Sequence, residues 1–245
     1  DTYYTRLQEL FGAPGDNTSI SHLLQEFSQA AELLAVSPDK TIEQAELVRR
    51  ASDVANKFKE MTDTNQDLRL QADQFIAEGV TQVNTITTRI DQLNDEIISN
   101  STVSRDVTDL KDQRDLELDK LAKLIDMAYF SRSDGDVVVF TQNGRTLVDT
   151  EPPTLTHVSA SSLTATSTHS EGDISPIYVG TQVSGNDITN EIRHGELKGL
   201  IDLRDSVLPD LQSQLDNLAA QLRDKVNQIH NRSTPFPGMQ EMTGT

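Results

Sequence analysis

Gln82-Val83-Asn84-Thr85-Ile86-Thr87-Thr88-Arg89-Ile90-Asp91-Gln92-Leu93-Asn94-Asp95-Glu96-Ile97 closes the pattern that decides the fold. Apolar or small residues recur at Val48, Ala51, Ala55, Phe58, Met61, Asn65, Leu68, Ala72, Phe75, Gly79, Val83, Ile86, Ile90, Leu93 and Ile97. Each step is three or four residues, which draws one narrow stripe along an α-helix. The spacing predicts a single helix from Thr41 to about Ile98. No proline interrupts it, and Gly79 is its only glycine. At 1.5 Å per residue such a helix is roughly 85 Å long, so it needs partner helices along its length. Asn65 and Gly79 are weak core residues, and a bend or break is expected near 62–67.

The neighbouring segments supply partners. Tyr3, Tyr4, Leu7, Leu10 and Phe11 read as the end of a helix, broken by Gly12-Ala13-Pro14-Gly15. A helix is predicted over Ser19–Ala35, with Ile20, Leu23, Leu24, Phe27, Ala31 and Leu34 on its buried face. Thr41 and Gln44 have the spacing of a capping box at the start of the long helix. After the break at Ser99–Thr102, a helix over Arg105–Phe130 turns Val107, Leu110, Arg114, Leu118, Leu121 and Ile125 inward. The short link lets it fold back antiparallel. The last stripe is Leu208, Leu211, Leu215, Leu218, Leu222, Val226 and Ile229, with a joint at Val207–Pro209, since proline suits a first helical turn.

Between these helices the period becomes strand-like. Asp136–Phe140 and Arg145–Val148 flank Asn143-Gly144, a strong hairpin signal because both residues tolerate positive φ. Leu155–Val158, Leu163–Thr166 and Ile174–Val179 are further predicted strands. The fold class is therefore mainly α with a small β appendage: an elongated antiparallel bundle built on one long helix. The expected domains are a first helical part at 1–131, a small polar and peripheral β-rich insertion at 132–189, a second helical part at 190–232, and a loose tail at 233–245.

The 245 residues are 35% hydrophobic and carry a net charge of -18 from 39 acidic and 21 basic groups. That surface repels nucleic acid and anionic lipid, so neither is expected as a partner. No apolar run approaches the roughly 20 residues of a membrane span. The start, Asp1-Thr2-Tyr3-Tyr4, has neither Met nor a leader pattern, and the chain reads as a trimmed core. There is no Cys or Trp, which removes disulfides and thiolate chemistry.

No catalytic, cofactor-binding or metal-binding residue is assigned. His22, His157, His169, His194 and His230 are scattered, without zinc-ligand spacing. Asp63, Asn65 and Asp67 imitate the start of a calcium loop. Leu68 stands where the loop requires Gly and Gln74 where it requires Glu, so a solvated helix face is the expectation. No phosphate-binding loop or nucleophile elbow occurs. The carboxylates are expected on exposed helical positions. Asn17-Thr18-Ser19, Asn100-Ser101-Thr102 and Asn231-Arg232-Ser233 match the glycosylation sequon. Leu110-Lys111-Asp112-Gln113-Arg114-Asp115 is echoed by Leu200-Ile201-Asp202-Leu203-Arg204-Asp205, each placing Arg between two Asp. An exposed pair of this kind adds about 0–1 kcal/mol.

Leu7–Gly12, Ile20–Phe27, Ala35–Pro38, Gln82–Ile97, Asp109–Asp115 and Gly195–Asp205 follow one another in an order that resembles the flagellar hook-associated protein 1 family, the hook–filament junction proteins. The Gln113-Arg114-Asp115 and Gly195-Glu196-Leu197-Lys198-Gly199-Leu200 motifs carry most of the likeness. The resemblance implies a structural, non-enzymatic flagellar component that packs helix against helix between hook and filament. It implies export through the flagellar type III apparatus to the cell exterior. The implied partners are copies of itself in a ring, the hook protein, the second junction protein and an export chaperone. This segment alone is expected to be monomeric, with part of its long stripe exposed near one end. A coiled-coil adhesin or secretion-needle tip is the alternative.

Overall fold

The computed structural model describes residues 17–232, with side chains to Ile229. The helix expected over Tyr3–Phe11, the tail, the His230 side chain and the sequon at Asn231 lie outside the described residues. Among the rest, the chain forms two compact units. The first comprises residues up to Leu68 and from Leu208 onward; the second is Arg69–Val207.

The first unit contains α1 (Ile20–Val36), the opening of α2 (Thr41–Thr102) and α5 (Leu208–Arg232). Ser19 caps α1 by accepting from the His22 N–H at 3.2 Å. Thr41 lies inside α2, so the expected capping box does not form. Gln44 instead donates from its side chain to the Pro38 carbonyl at 2.8 Å. Ile20, Val54, Met61 and Leu215 form the core, with Phe27, Phe58 and Leu222 packed against it. α2 runs without a break through 62–67. Asn65, a weak core position of the stripe, is fully buried and donates to the Leu208 carbonyl at 3.0 Å and to Gln212 at 3.2 Å. These bonds offset the cost of a polar group in the stripe. The expected apolar exposure is present. Val48 is 66% exposed. It lines a groove of about 530 Å³ with Phe27, Leu47, Phe58, Leu222 and Val226.

In the second unit α2 buries Ile76, Val80 and Thr87, whereas Phe75 is exposed and Ile86 half-buried. The inward face is thus rotated slightly from the narrow stripe. α3 covers Thr108–Leu124, and the chain turns to strand earlier than the helical pattern suggests. β1 (Met127–Ser131), β2 (Val137–Thr141) and β3 (Thr146–Val148) form an antiparallel sheet in that order. In the β2–β3 turn only Gly144 takes positive φ, at 82°. Its N–H reaches the Thr141 carbonyl at 2.8 Å, and the Thr141 N–H reaches the Arg145 carbonyl at 2.8 Å. That is a longer hairpin loop than the two-residue turn expected of Asn-Gly. β4 (Leu155–Thr156) and β5 (Tyr178–Val179) pair separately, and Leu163–Thr166 forms no strand.

The segment expected to be polar and peripheral is well buried in places. Val139, Leu147, Val148, Ile174, Ile177 and Ile188 are fully buried. α4 (Glu196–Asp202) follows, then a π-helical stretch at Leu203–Val207 that leads into α5. The proline ring at position 209 crowds the carbonyl four residues earlier and offers no N–H, which favours the wider turn before it. The joint expected at Val207–Pro209 is therefore a change of helical pitch within a continuous helical run.

Gly195 enters α4 at φ 94°, ψ 178°, a region almost restricted to glycine. Asp126 holds this approach by accepting from the Arg193 N–H at 3.0 Å. A Cβ on residue 195 would lie 2.6 Å from the Leu124 carbonyl oxygen. Gly195→Ala is expected to lower stability by about 2–4 kcal/mol through strain and overpacking, measured as the shift in the urea unfolding curve.

Candidate functional site

The chemically distinctive region is a line of buried polar side chains on α2 within the second unit. Arg69 and Asp73 are one helical turn apart, in line with Ala72 and Ile76, and so point inward. Asp73 Oδ1 accepts from Arg204 Nη1 at 2.6 Å and lies 3.0 Å from His157 Nε2. Its Oδ2 accepts from the Ala160 N–H at 2.7 Å. The side chains of Asp73, His157 and Arg204 are all fully buried. Arg204 also makes a two-pronged contact to Asp205 at 2.8 and 2.7 Å.

Arg69 extends the cluster through backbone carbonyls. It donates to Thr164 at 2.9 Å, Ser167 at 2.8 Å and Arg204 at 3.1 Å. The Arg204 carbonyl lies in the π-helical stretch, and Pro209 has no N–H to offer the carbonyls of that turn. The Arg69 guanidinium fills that place. Burial lowers the Arg69 pKa from the usual arginine value, yet a guanidinium stays charged at physiological pH.

Farther along α2, Asn84 and Asn94 each bind one β residue through both of its backbone groups. Asn84 donates to the Leu155 carbonyl and accepts from the Leu155 N–H, both at 2.8 Å. Asn94 donates to the Val137 carbonyl at 2.9 Å and accepts from its N–H at 3.3 Å. An amide side chain has one donor group and one acceptor, so it can replace a missing strand partner. Arg114 completes this end by donating to Asn94 Oδ1 at 2.9 Å and to the Gly135 carbonyl at 2.7 Å.

The sequence assigned no site residues, and these roles were not foreseen. The expectation of exposed carboxylates fails at Asp73. Arg114, which the spacing of its helix turned inward, is buried at 5% exposure, and its counterpart Arg204 is buried as well, at 0%. One signal was present: Arg69 and Asp73 interrupt the inward stripe, and such charges require partners when buried. The calcium-like residues do not converge. Asp63 pairs with Lys59 at 2.9 Å while Asn65 points into the core of the first unit. Among the described residues no group of three or more His, Cys, Asp or Glu could hold a metal ion, and no helix is long and apolar enough to cross a membrane.

A long helix that clamps a β layer with directional polar side chains is the design of a helical scaffold domain. The chain belongs to the family of the flagellar hook-associated protein FlgK helical domain, whose model matches residues 4–240. It is 24% identical over 244 residues to flagellar hook-associated protein 1 of Bacillus subtilis (strain 168), covering 92% of this chain and 48% of that protein. It thus spans about half the length of that relative. The flagellar hook junction protein FlgK from Burkholderia pseudomallei has the same fold, with a TM-score of 0.74 at 23% identity. That match covers 92% of this chain and 40% of the other. Neither relative is an adhesin or a needle-tip protein.

Burial alone would raise the Asp73 pKa. Hydrogen bonds from His157, the Ala160 N–H and Arg204 outweigh it and hold the carboxyl below its usual value. A depressed folded-state pKa stabilises the fold above the unfolded value of about 3.9, and the gain is lost as pH falls through the folded pKa. Asp73→Asn is expected to cost about 1–3 kcal/mol at pH 7, because Arg204 keeps Asp205 but loses its buried, charged acceptor on α2. Its stability should also fall less steeply than the parent's between about pH 4 and pH 2. Urea unfolding across that pH range measures both effects.

Proposed function

We propose that this chain is the helical portion of a structural, non-catalytic protein at the junction between flagellar hook and filament. The family match across residues 4–240 carries the reading. The chain contributes stiffness and helical packing surface rather than chemistry. Directional hydrogen bonds from Arg69, Asp73, Asn84 and Asn94 support this, because they fix the β layer to one register on α2. The exposed apolar positions of the first unit, Val48 on α2 and Val226 on α5, suit packing by further helices.

The whole protein would work by subunit–subunit helix packing in a ring, against the hook protein on one side and the second junction protein on the other. It would reach that place through the flagellar type III export apparatus with a chaperone, and act outside the cell. Within it we expect helical parts at 1–131 and 190–232, a β-rich subdomain at 132–189 and a tail from 233. No catalytic, cofactor or metal residue enters this mechanism.

The test replaces the matching segment of a hook–filament junction protein with this chain, in a strain otherwise lacking that protein. Restored filament attachment and swimming are expected. Continued release of unattached filament subunits, despite secretion of the chimera, would overturn the reading. The isolated chain is expected to sediment as a monomer at micromolar concentration; a tight oligomer would argue against it.

A further inference from the structure

β1 is an edge strand, since the sheet runs β1-β2-β3 and no described residue pairs beyond β1. Edge strands are normally protected by charge, proline or a bulge. Met127-Ala128-Tyr129-Phe130-Ser131 has none of these and pairs with β2 in unbroken register. Tyr129 and Phe130 are 53% and 51% exposed.

The direction of the free backbone groups follows from the ladder. The Arg132 N–H donates to the Asp136 carbonyl at 2.7 Å, so Arg132 faces β2. Hydrogen-bonded pairs alternate in an antiparallel ladder. Phe130 and Ala128 therefore face β2 as well, while Tyr129 and Ser131 direct their N–H and C=O outward. A groove of about 500 Å³ runs alongside, lined by Met127, Ala128 and Tyr129 of β1 and by Asp115, Leu118 and Asp119 of α3, among others. Consecutive strand residues project to opposite faces. A groove touching three in a row therefore lies along the strand's edge. Asp115 and Asp119 stand one helical turn apart on its far wall, and both are exposed.

We infer that this groove binds an extended polypeptide segment of another protein, which adds as a strand to β1 and carries Lys or Arg toward Asp115 and Asp119. Backbone pairing with Tyr129 and Ser131 supplies a sequence-independent attachment, and the groove wall supplies selection. The apolar floor at Leu118 and Met127 accepts small aliphatic side chains between the basic ones. A second copy of this chain is a poor match to the two carboxylates, because none of its described strands carries Lys or Arg.

The probe is a fluorescein-labelled peptide, Thr-Val-Lys-Val-Lys-Val-Thr, titrated into the ¹⁵N-labelled chain. Saturable binding is expected, with the largest amide shifts at Tyr129 and Ser131. The paired substitution Asp115→Asn and Asp119→Asn is expected to weaken it roughly tenfold. A version with N-methylated backbone amides on its pairing edge should lose binding. Because the altered peptide leaves the protein untouched, this arm does not depend on how any variant folds. Equal binding of the N-methylated peptide, or of a peptide with Glu in place of Lys, would overturn the proposal. So would shifts spread over the acidic surface away from β1. Concentration-dependent dimerisation that shifts the same Tyr129 and Ser131 amides would assign the edge to a second copy and overturn it equally.

Discussion

Asp73 is a carboxylate with no solvent exposure, and the second unit is arranged around its needs. A buried charge is tolerated only with a charged partner and hydrogen bonds for its remaining lone pairs. Asp73 obtains these from two separated parts of the chain: Arg204 after α4, and His157 with the Ala160 N–H after β4. Each partner must be present for the site to be neutral and saturated. The helix therefore selects the placement of the segments that follow it. Arg69 repeats the logic with carbonyls, gathering Thr164, Ser167 and Arg204 around one guanidinium.

Such groups add less to net stability than their number suggests, because desolvation offsets most of the Coulombic gain. What they confer here is register. Apolar packing tolerates sliding and exchange of similar side chains, but a two-way amide contact such as Asn84 with Leu155 fits at one offset only. The first unit joins α2 to α5 through Asn65 and Gln212 and α1 to α2 through the Glu26–Arg50 ion pair, around a core of Ile20, Val54, Met61 and Leu215. For a domain of the FlgK helical family, a fixed register is useful. A scaffold passes on its geometry only when its layers cannot shift.

Much of the helical skeleton was legible in the sequence. α2 follows its three-and-four spacing, and α1 begins within one residue of the expected start at Ser19. The ends were less legible because local signals compete there. Residues 127–130 continue a helical spacing after α3, yet pair with β2, where tertiary pairing overrides local preference. Asn143-Gly144 marked the hairpin, but only the glycine takes positive φ, because the strand register called for a longer loop. The β region looked polar and peripheral because beyond the short runs Val137–Phe140 and Leu147–Val148 its buried Leu155, Ile174, Ile177 and Ile188 stand singly among Ser, Thr and Gly.

The sequence by itself determined the long helix, its antiparallel partners and the existence of a β segment, because periodicity is a local property of the chain. It also carried the family likeness, in the motifs around Arg114 and Arg204. The helical spacing already turned Arg114 inward; only the tertiary structure decided that Arg204 is buried too. It also decided that Asp73 and Asn94, on the same helix, receive them. An aspartate on a helix has the same local signature whether it meets water or a guanidinium from more than a hundred residues away. Burial is fixed by that distant partner, and no reading of neighbours along the chain contains it.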